Sequence, residues 1–324
     1  MAKGSCFIDA TDWRDVTVKS AKAMSFTDAP VAGVIDKVHA LQYGLYQAAK
    51  QDRGRRFHAL FDKLSRGDVL ERAWRAVAVN GGAAGVDGVT IRDITDQVGV
   101  GVFLERLAGL LREGRYRPAP LRRVHIPKPG QPGKTRPLGI PVIADRVIMA
   151  AAKIVLEPIF EADFCPVSFG FRPGRSAIDA LDSVRAGIGR GQRWVLDADV
   201  SDCFGQIDHN ALMGLVEARV VDRSMLRLLR AWLKVGVLEH GSVTATVSGT
   251  PQGSLCAAVG QHRAQCSRSG MGTCGLACWH TRAIRRRFRC GVRDQATGRT
   301  RPTLGRHGVG HCRVAVASRQ DQHP

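Results

Sequence analysis

The spacing of apolar side chains predicts amphipathic helices in the first half of the chain. A helix is expected over residues 57–79, with a break at Arg66–Gly67, and a second over 103–111, ending at Gly114. A long apolar helix is expected over 143–160. Apolar residues that recur every three or four positions mark the buried face of a helix. The predicted inward positions of the first helix are Leu60, Phe61, Leu64, Leu70, Trp74 and Val77.

Short strands are predicted between and after these helices. Alternating apolar and polar residues indicate strands over 121–126 and 194–200, and a hairpin over 238–247 that turns at His240–Gly241. A turn rich in glycine and proline, residues 127–133, follows the first strand. Together with the helices, these strands predict an α+β protein.

Further helices are predicted around and after the middle of the chain. Ser176 and Asp179 have the spacing of a capping box, which marks the start of a helix. The predicted inward positions of that helix are Ile178, Leu181 and Val184. Two more helices are expected over 211–220 and 224–235. By contrast, the sequence predicts a weakly structured N-terminal extension over residues 1–55.

Composition narrows the class of protein. Of the 324 residues, 44% are apolar, which is enough for a sizeable core. No apolar run reaches the roughly 18 residues of a membrane span, and the N-terminus lacks a signal-peptide pattern, so a cytoplasmic protein with no membrane partner is expected. The formal net charge of +19 favours a polyanionic partner, usually nucleic acid. Nine cysteines without patterned spacing do not predict a disulfide framework.

The positive charge is concentrated in the last part of the chain. The 68 residues after Cys256 contain 13 Arg, no Lys, no Glu and 2 Asp, so they carry +11 and leave +8 for the rest. They show neither a helical period nor a strand alternation. A functional basic surface normally mixes lysine with arginine. The composition therefore suggests that this tail was not shaped by selection for a fold.

Cysteine and histidine are also abundant in this tail, which raises the question of a zinc site. Cys274 and Cys278 with His280 could begin such a site, and Cys290 with His307, His311 and Cys312 could complete one. These spacings match none of the usual zinc-finger patterns. A zinc-stabilised nucleic-acid module remains the least favoured interpretation.

Acidic residues at the end of a predicted strand are candidates for metal binding. Asp197 and Asp199 point to the same face of the strand, because successive side chains alternate. Carboxylate oxygens are ligands that Mg²⁺ prefers. Two-metal phosphoryl transfer needs carboxylates from different segments. The alternative is an ordinary solvated strand end.

Basic residues at two turns are candidates for binding phosphate. Lys128, Lys134 and Arg136 surround the turn at 127–133, where rigid backbone would suit a triphosphate. Arg172 and Arg175 lie beside two phenylalanines at a predicted helix start, which suits a nucleic-acid backbone with stacking. Charged loop tips and surface arginines are the alternative for both.

Seven motifs, in this order, resemble the reverse transcriptases encoded by bacterial group II introns. The resemblance runs from about residue 57 to 254. Its motifs are NGGAAGVDGVT (80–90), YRPAPLRRVHIPKPG (116–130), RPLGIPVIADRV (136–147), LEPIFEADF (156–164), SFGFRPGRSAIDAL (168–181), LDADVSDCF (196–204) and GTPQGS (249–254). Retron, CRISPR-associated and diversity-generating reverse transcriptases share the core motifs, but the first and fifth motifs look most like the group II class.

The resemblance implies a right-hand polymerase fold and RNA-templated DNA synthesis with two Mg²⁺ ions. Of that fold, the matching motifs cover the fingers and part of a ferredoxin-like palm, whereas the thumb is missing. The implied partners are intron RNA and an RNA/DNA template-primer. A homodimer can be neither predicted nor excluded.

The resemblance also implies a catalytic centre. Asp199 and the carbonyl of Val200 would bind the catalytic metal. Phe204 would stack under the nucleotide sugar and exclude a 2′-hydroxyl, and Gln252 would position that sugar. Gly205 stands where many relatives carry Asp.

Four basic residues complete the site that the resemblance implies. Lys128 and Arg136 would hold the incoming triphosphate. Arg172 and Arg175 would touch the backbone of the template or primer.

The family pattern breaks after the GTPQGS turn, since no Tyr-x-Asp-Asp motif occurs in this sequence. When codons are read one base later, residues 257–268 permit PLLANIVLNVLD, and residues 279–292 permit GTLVRYADDFVVVC. In the shifted frame, two residues do not depend on codon choice. Met271 followed by Gly must give Trp, and Trp279 followed by His must give Gly. We therefore expect a one-base slip near codons 254–256. The alternative is a basic arm selected to bind RNA.

These observations divide the chain into four expected parts. They are an N-terminal extension (1–55), a helical region (56–115), fingers with a partial palm (116–254) and a disordered, out-of-frame tail (255–324). The expected product is a truncated reverse transcriptase without activity, because one carboxylate segment cannot hold both metal ions. The alternative is a non-catalytic RNA-binding protein that uses the fingers and the basic tail.

Overall fold

The computed structural model describes residues 36–127, 130, 133–191, 195–198, 207–239, 241–244 and 312–315. In 195–198 and 312–315 the description is limited to the backbone. The described part of the protein contains both helices and strands, which confirms the α+β prediction. No helix in the described part of the chain is both long and apolar enough to cross a membrane.

Most helices of the first half of the protein form one cluster. The helices are α1 (Lys37–Gln51), α2 (Phe61–Leu64), α3 (Gly67–Asn80), α4 (Ile91–Asp93), α5 (Val100–Arg112) and α6 (Ile143–Glu161), with a π-helical turn at Ile94–Val98 between α4 and α5. Helices α1, α2 and α3 all contact α6, which therefore lies at the centre of the cluster. The predicted helix over 57–79 is divided into α2 and α3 by the break expected at Arg66–Gly67.

Helix α6 is central because it is apolar on most of its surface. Val147, Ile148, Val155 and Ile159 are fully buried. Burial of one such side chain stabilises the fold by about 1.5–3 kcal/mol. The predicted bounds, 143–160, agree with the observed helix within one residue.

A four-stranded sheet adjoins the helices. Strand β1 (Leu121–Pro127) pairs antiparallel with β2 (Thr135–Ile140), and β4 (Val237–Glu239) runs parallel to the start of β1 and pairs antiparallel with β5 (Ser242–Thr244). The order is β2-β1-β4-β5. The predicted hairpin over 238–247 is therefore confirmed where the structure describes it, and the turn predicted at 127–133 connects β1 to β2, a strand that the sequence did not predict.

The region between the hairpins contains α7 (Ala177–Gly189), β3 (Val195–Ala198), α8 (His209–Glu217) and α9 (Arg223–Lys234). Strand β3 pairs antiparallel with β6 (Cys312–Ala315). The prediction that the tail lacks regular structure is therefore wrong for these four residues. A short strand needs no long alternation, because its backbone hydrogen bonds are supplied by the partner strand.

The predicted weak structure of residues 1–55 is wrong for α1. Asp36 caps this helix by accepting hydrogen bonds from the backbone N–H groups of Val38 and His39. Gln42 is buried and donates to the carbonyl of Ile154 in α6, at 3.2 Å. Because His39 and Gln42 occupy buried positions, the apolar period of α1 is too weak to be read from the sequence.

The capping box of α7 is confirmed, whereas its predicted inward face is wrong. The Ser176 hydroxyl accepts from the backbone N–H of Asp179, and the Asp179 carboxylate accepts from the backbone N–H of Ser176. Ile178 and Leu181, however, are 62% and 57% exposed, and Val184 is half-buried. Helical period identifies an apolar face but not the element that covers it.

Candidate nucleic-acid interface

The β1–β2 hairpin presents basic residues at its outer end. Arg136 is exposed and lies opposite Ile126 in the strand register, and Lys134 next to it is also exposed. Lys128 lies outside the described residues. Nearer the base of the hairpin, Arg123 and His125 lie 3.6 and 3.7 Å from the carboxylate of Glu239. The outer end therefore carries the cations that remain accessible to a phosphate.

Two arginines attach the glycine-rich segment 80–88 to the base of this hairpin. Arg122 Nε donates to the carbonyl of Ala84 at 2.9 Å. Arg146 donates to the carbonyl of Pro141 at 2.9 Å and also to that of Ala83. These contacts give a structural role to a motif whose role the sequence does not indicate.

Close approach of two backbones explains one glycine of that segment. A Cβ atom on Gly85 would lie 2.6 Å from Cα of Val142 and 2.7 Å from its backbone nitrogen. No side chain fits there, so the segment can pack against the start of α6 only with glycine.

A buried hydrogen-bond chain fixes the start of β1 relative to α6 and α9. Tyr116 donates to Oδ1 of Asp145 at 2.6 Å, and Nε1 of Trp232 donates to the hydroxyl of Tyr116 at 3.1 Å. The backbone N–H of Ala119 donates to Oδ2 of Asp145 at 2.9 Å. Burial raises the pKa of Asp145 to about 6, and burial together with the Asp145 charge raises the pKa of Tyr116 above its usual range. Nothing in the local sequence pattern indicates these hydrogen bonds between Tyr116, Asp145 and Trp232.

Arg172 is engaged inside the protein, which contradicts its predicted contact with a nucleic-acid backbone. Its side chain is 6% exposed and forms an ion pair with Glu161, with Nε 3.1 Å from both carboxylate oxygens. Its Nη1 donates to the carbonyls of Cys165 and Ser168 at 2.8 and 2.6 Å. The side chain therefore shapes the loop before α7 rather than reaching a partner.

Arg175, by contrast, is exposed at the same loop. Its guanidinium carbon lies 5.7 Å from the ring centroid of half-buried Phe169. Phe171 is 83% exposed, with a φ of 55°. The loop thus presents a cation and an aromatic ring to a partner.

The remaining predicted site residues lie outside the described part of the chain. They are Asp199, Val200, Phe204 and Gln252. The backbone of β3 ends at Ala198, so the predicted strand leading to Asp199 is present. Among the described residues, no group of three or more His, Cys, Asp or Glu is arranged to hold a metal ion. Asp199 offers the hard oxygen ligand that a divalent cation prefers, so the donor chemistry fits.

Comparison with known proteins identifies the domain. Residues 126–262 match the family described as reverse transcriptase (RNA-dependent DNA polymerase). The chain is 38% identical over 202 residues to the group II intron-encoded protein LtrA of Lactococcus lactis subsp. cremoris, covering 61% of this chain and 32% of the relative. It is 36% identical over 225 residues to protein YkfC of Escherichia coli strain K12, covering 67% and 58%.

The chain therefore spans about a third of the length of LtrA and somewhat more than half of YkfC. Among solved structures, a chain of a partial Cas6-RT-Cas1–Cas2 complex superposes with a TM-score of 0.43 at 20% identity. That superposition covers 63% of this chain and 33% of the other.

Proposed function

Because the chain belongs to the reverse transcriptases and maturases encoded by group II introns, we propose that residues 56–254 are the fingers and partial palm of such an enzyme. The observation that carries this proposal is the reverse transcriptase match over 126–262, which begins in β1 and includes the Asp199 segment. Intron RNA or an RNA template would contact Arg136 on the β1–β2 hairpin and Arg175 on the loop before α7. Both side chains are exposed and bear the charge that a phosphate backbone attracts.

Reverse transcriptase domains use divalent metal ions. We propose that Asp199 and the carbonyl of Val200 would hold Mg²⁺ here, where the ions would neutralise charge on the reacting phosphate. Arg136 and Lys128 would bind the triphosphate of the incoming nucleotide. Phe204 and Gln252 would contact its sugar.

We further propose that this 324-residue chain does not itself synthesise DNA. Its sequence contains no Tyr-x-Asp-Asp segment, and one carboxylate segment cannot hold two ions around the same phosphate. The reverse transcriptase match stops at residue 262, six residues beyond the point at which the composition changes. This end point supports a one-base slip near codons 254–256 rather than a selected tail.

The test has two steps. The first is to resequence the gene across codons 245–295, where the slip requires ATA at codon 284 and CGA at codons 286 and 287. The second is primer extension on an RNA template with Mg²⁺, comparing the chain as it stands with a frame-restored form. We expect extension only from the restored form. Extension by the 324-residue chain alone would refute the proposed loss of activity.

A second function, RNA binding without catalysis, is favoured by one observation. The last 68 residues carry +11, and Arg136 and Arg175 add exposed charge in the domain. Binding through phosphates weakens steeply as salt increases. A salt titration with structured intron RNA and an unrelated RNA of equal length tests this function. Binding of the intron RNA that persists to higher salt than binding of the unrelated RNA would support this function. If binding of both RNAs weakens equally, the tail attracts RNA only non-specifically.

A further inference from the structure

The loop before α7 is held by internal contacts of one arginine. Arg172 links Glu161 at the end of α6 to the carbonyls of Cys165 and Ser168. Its guanidinium carbon also lies 4.8 Å from the ring centroid of Phe164. These contacts tie residue 172, directly after Phe171, to the earlier part of the loop and to α6.

Phe171 occupies this loop in a conformation that a structural role does not explain. Its φ of 55° lies in the left-handed region, which favours glycine over a bulky aromatic residue. Its ring is 83% exposed, so it gains nothing from burial. Glycine is present at 170 and 174 in the same loop, whereas 171 keeps an aromatic side chain. Strain of this kind in an exposed aromatic residue points to a ligand.

The surroundings of Phe171 indicate which ligand. Arg175 lies on the same loop, is exposed and contacts the ring of Phe169. An exposed aromatic ring and an exposed guanidinium four positions apart on one loop suit single-stranded nucleic acid, in which a base stacks on the ring and a phosphate pairs with the cation. Peptide or lipid ligands would need an apolar groove or a broader basic surface.

We infer that Phe171 stacks on an unpaired nucleobase while Arg175 contacts a neighbouring phosphate of the same strand. This inference rests on the proposed function, because it requires a nucleic-acid partner. The sequence indicated stacking in this loop without distinguishing its two phenylalanines, and the structure singles out Phe171 as the exposed one.

The test compares variants of the full chain on two oligonucleotides. One is an unstructured 12-mer, and the other has the same backbone with abasic sites; each is made as RNA and as DNA. Phe171→Gly removes the ring and relieves the left-handed φ, so the thermal unfolding midpoint is expected to stay level or rise. The loss of stacking is expected to weaken binding of the base-bearing oligomer by about 5- to 100-fold and to leave the abasic one unchanged.

Three further variants separate stacking from charge. Phe171→Trp is expected to retain the preference for bases, and Phe171→Leu to lose most of it. Arg175→Gln is expected to weaken both oligomers and to reduce the salt slope by about one phosphate contact. Ile178→Ala, another exposed apolar residue nearby, is the matched control and should change neither affinity.

The possible outcomes are distinct. An equal preference for bases in Phe171→Gly and in the unmodified chain would overturn the stacking inference and leave the proposed function standing. Failure of the unmodified chain to bind either oligomer would overturn both. The arginine-rich tail attracts phosphates equally in every variant, so it cancels in each comparison of the two oligomers.

Discussion

The hydroxyl of Tyr116 donates a 2.6 Å hydrogen bond to Oδ1 of Asp145, across 29 positions of sequence. Tyr116 precedes β1, and Asp145 lies in the first turn of α6. The bond therefore joins the strand that carries the basic hairpin to the central helix. Because Asp145 is 2% exposed, its protonation state is tied to the stability of this junction.

Stability should fall as the pH rises through the titration of Asp145. Burial raises its folded-state pKa from 3.8 to about 6, so the folded protein favours the protonated acid. That contribution is fully present below about pH 4 and is lost as the pH rises through 6, amounting to at most about 3 kcal/mol. Urea unfolding between pH 4 and 7.5 measures it.

Asp145→Asn is the control for that measurement. Its free energy of unfolding should lack this fall between pH 4 and 6, although loss of the acceptor for the Ala119 N–H should lower its overall stability. Parallel pH profiles for the two proteins would contradict the assignment to Asp145.

Removal of the Tyr116 hydroxyl should weaken the same junction. In Tyr116→Phe, the Asp145 oxygen and the Trp232 N–H both lose a buried partner. We expect a loss of about 1–3 kcal/mol in the free energy of unfolding at pH 7. The pKa of Asp145 should rise further, because the hydrogen bond from Tyr116 lowers it in the intact protein.

A double-mutant cycle isolates the pair. In the Asp145→Asn background, the cost of Tyr116→Phe should be clearly smaller, because the charged acceptor has gone. Equal costs in the two backgrounds would show that the hydroxyl acts mainly through Trp232.

Local signals explain which predictions succeeded, and contacts between distant residues explain which failed. The bounds of α6, strand β1 and the β4–β5 hairpin follow from local apolar period, alternation and turn residues, all of which the sequence displays directly. The π-helical turn at Ile94–Val98 has no comparable local signal. Helix α1 could not be predicted because His39 and Gln42 occupy buried positions, where a periodicity argument expects apolar residues.

The role of Arg172 could not be predicted for a related reason. An arginine in a turn before a helix usually faces solvent, and local sequence does not reveal that Glu161, eleven positions earlier, lies opposite it. Phe171 had a weak signal, since aromatic residues beside arginines suggest stacking. Its left-handed φ, which singles it out from Phe169, is visible only in the structure.

Arg172 and Arg175 should respond to mutation in opposite ways. Arg172→Ala leaves Glu161 as a buried, unpaired carboxylate and should lower the free energy of unfolding by about 3–5 kcal/mol. Arg175→Ala removes an exposed side chain and should change it by less than about 0.5 kcal/mol while weakening RNA binding. Urea unfolding and a filter-binding assay with the same RNA measure both effects.

Arg172→Lys sharpens this comparison, because it keeps the charge but not the two-pronged geometry. It should remain clearly destabilised, since an ammonium cannot contact Glu161 and both loop carbonyls together. Full stability of Arg172→Lys would show that charge alone holds the loop.

Gly85 and Gly109 should respond in opposite directions to the same substitution. In Gly85→Ala the new methyl group would lie 2.6 Å from Cα of Val142, so the loop must move away from α6, at a cost of about 1–3 kcal/mol. Gly109 lies inside α5, where a methyl group would meet nothing within 4 Å outside the helix's own backbone, so Gly109→Ala should raise stability by about 0.5–1 kcal/mol.

Thermal unfolding of both variants tests the pair, and a neutral Gly85→Ala would show that the 80–88 segment does not pack tightly on Val142. Because Arg146 and Arg122 hold that segment to the hairpin, Gly85→Ala should also speed hydrogen exchange of the β1 amides, whereas Gly109→Ala should not.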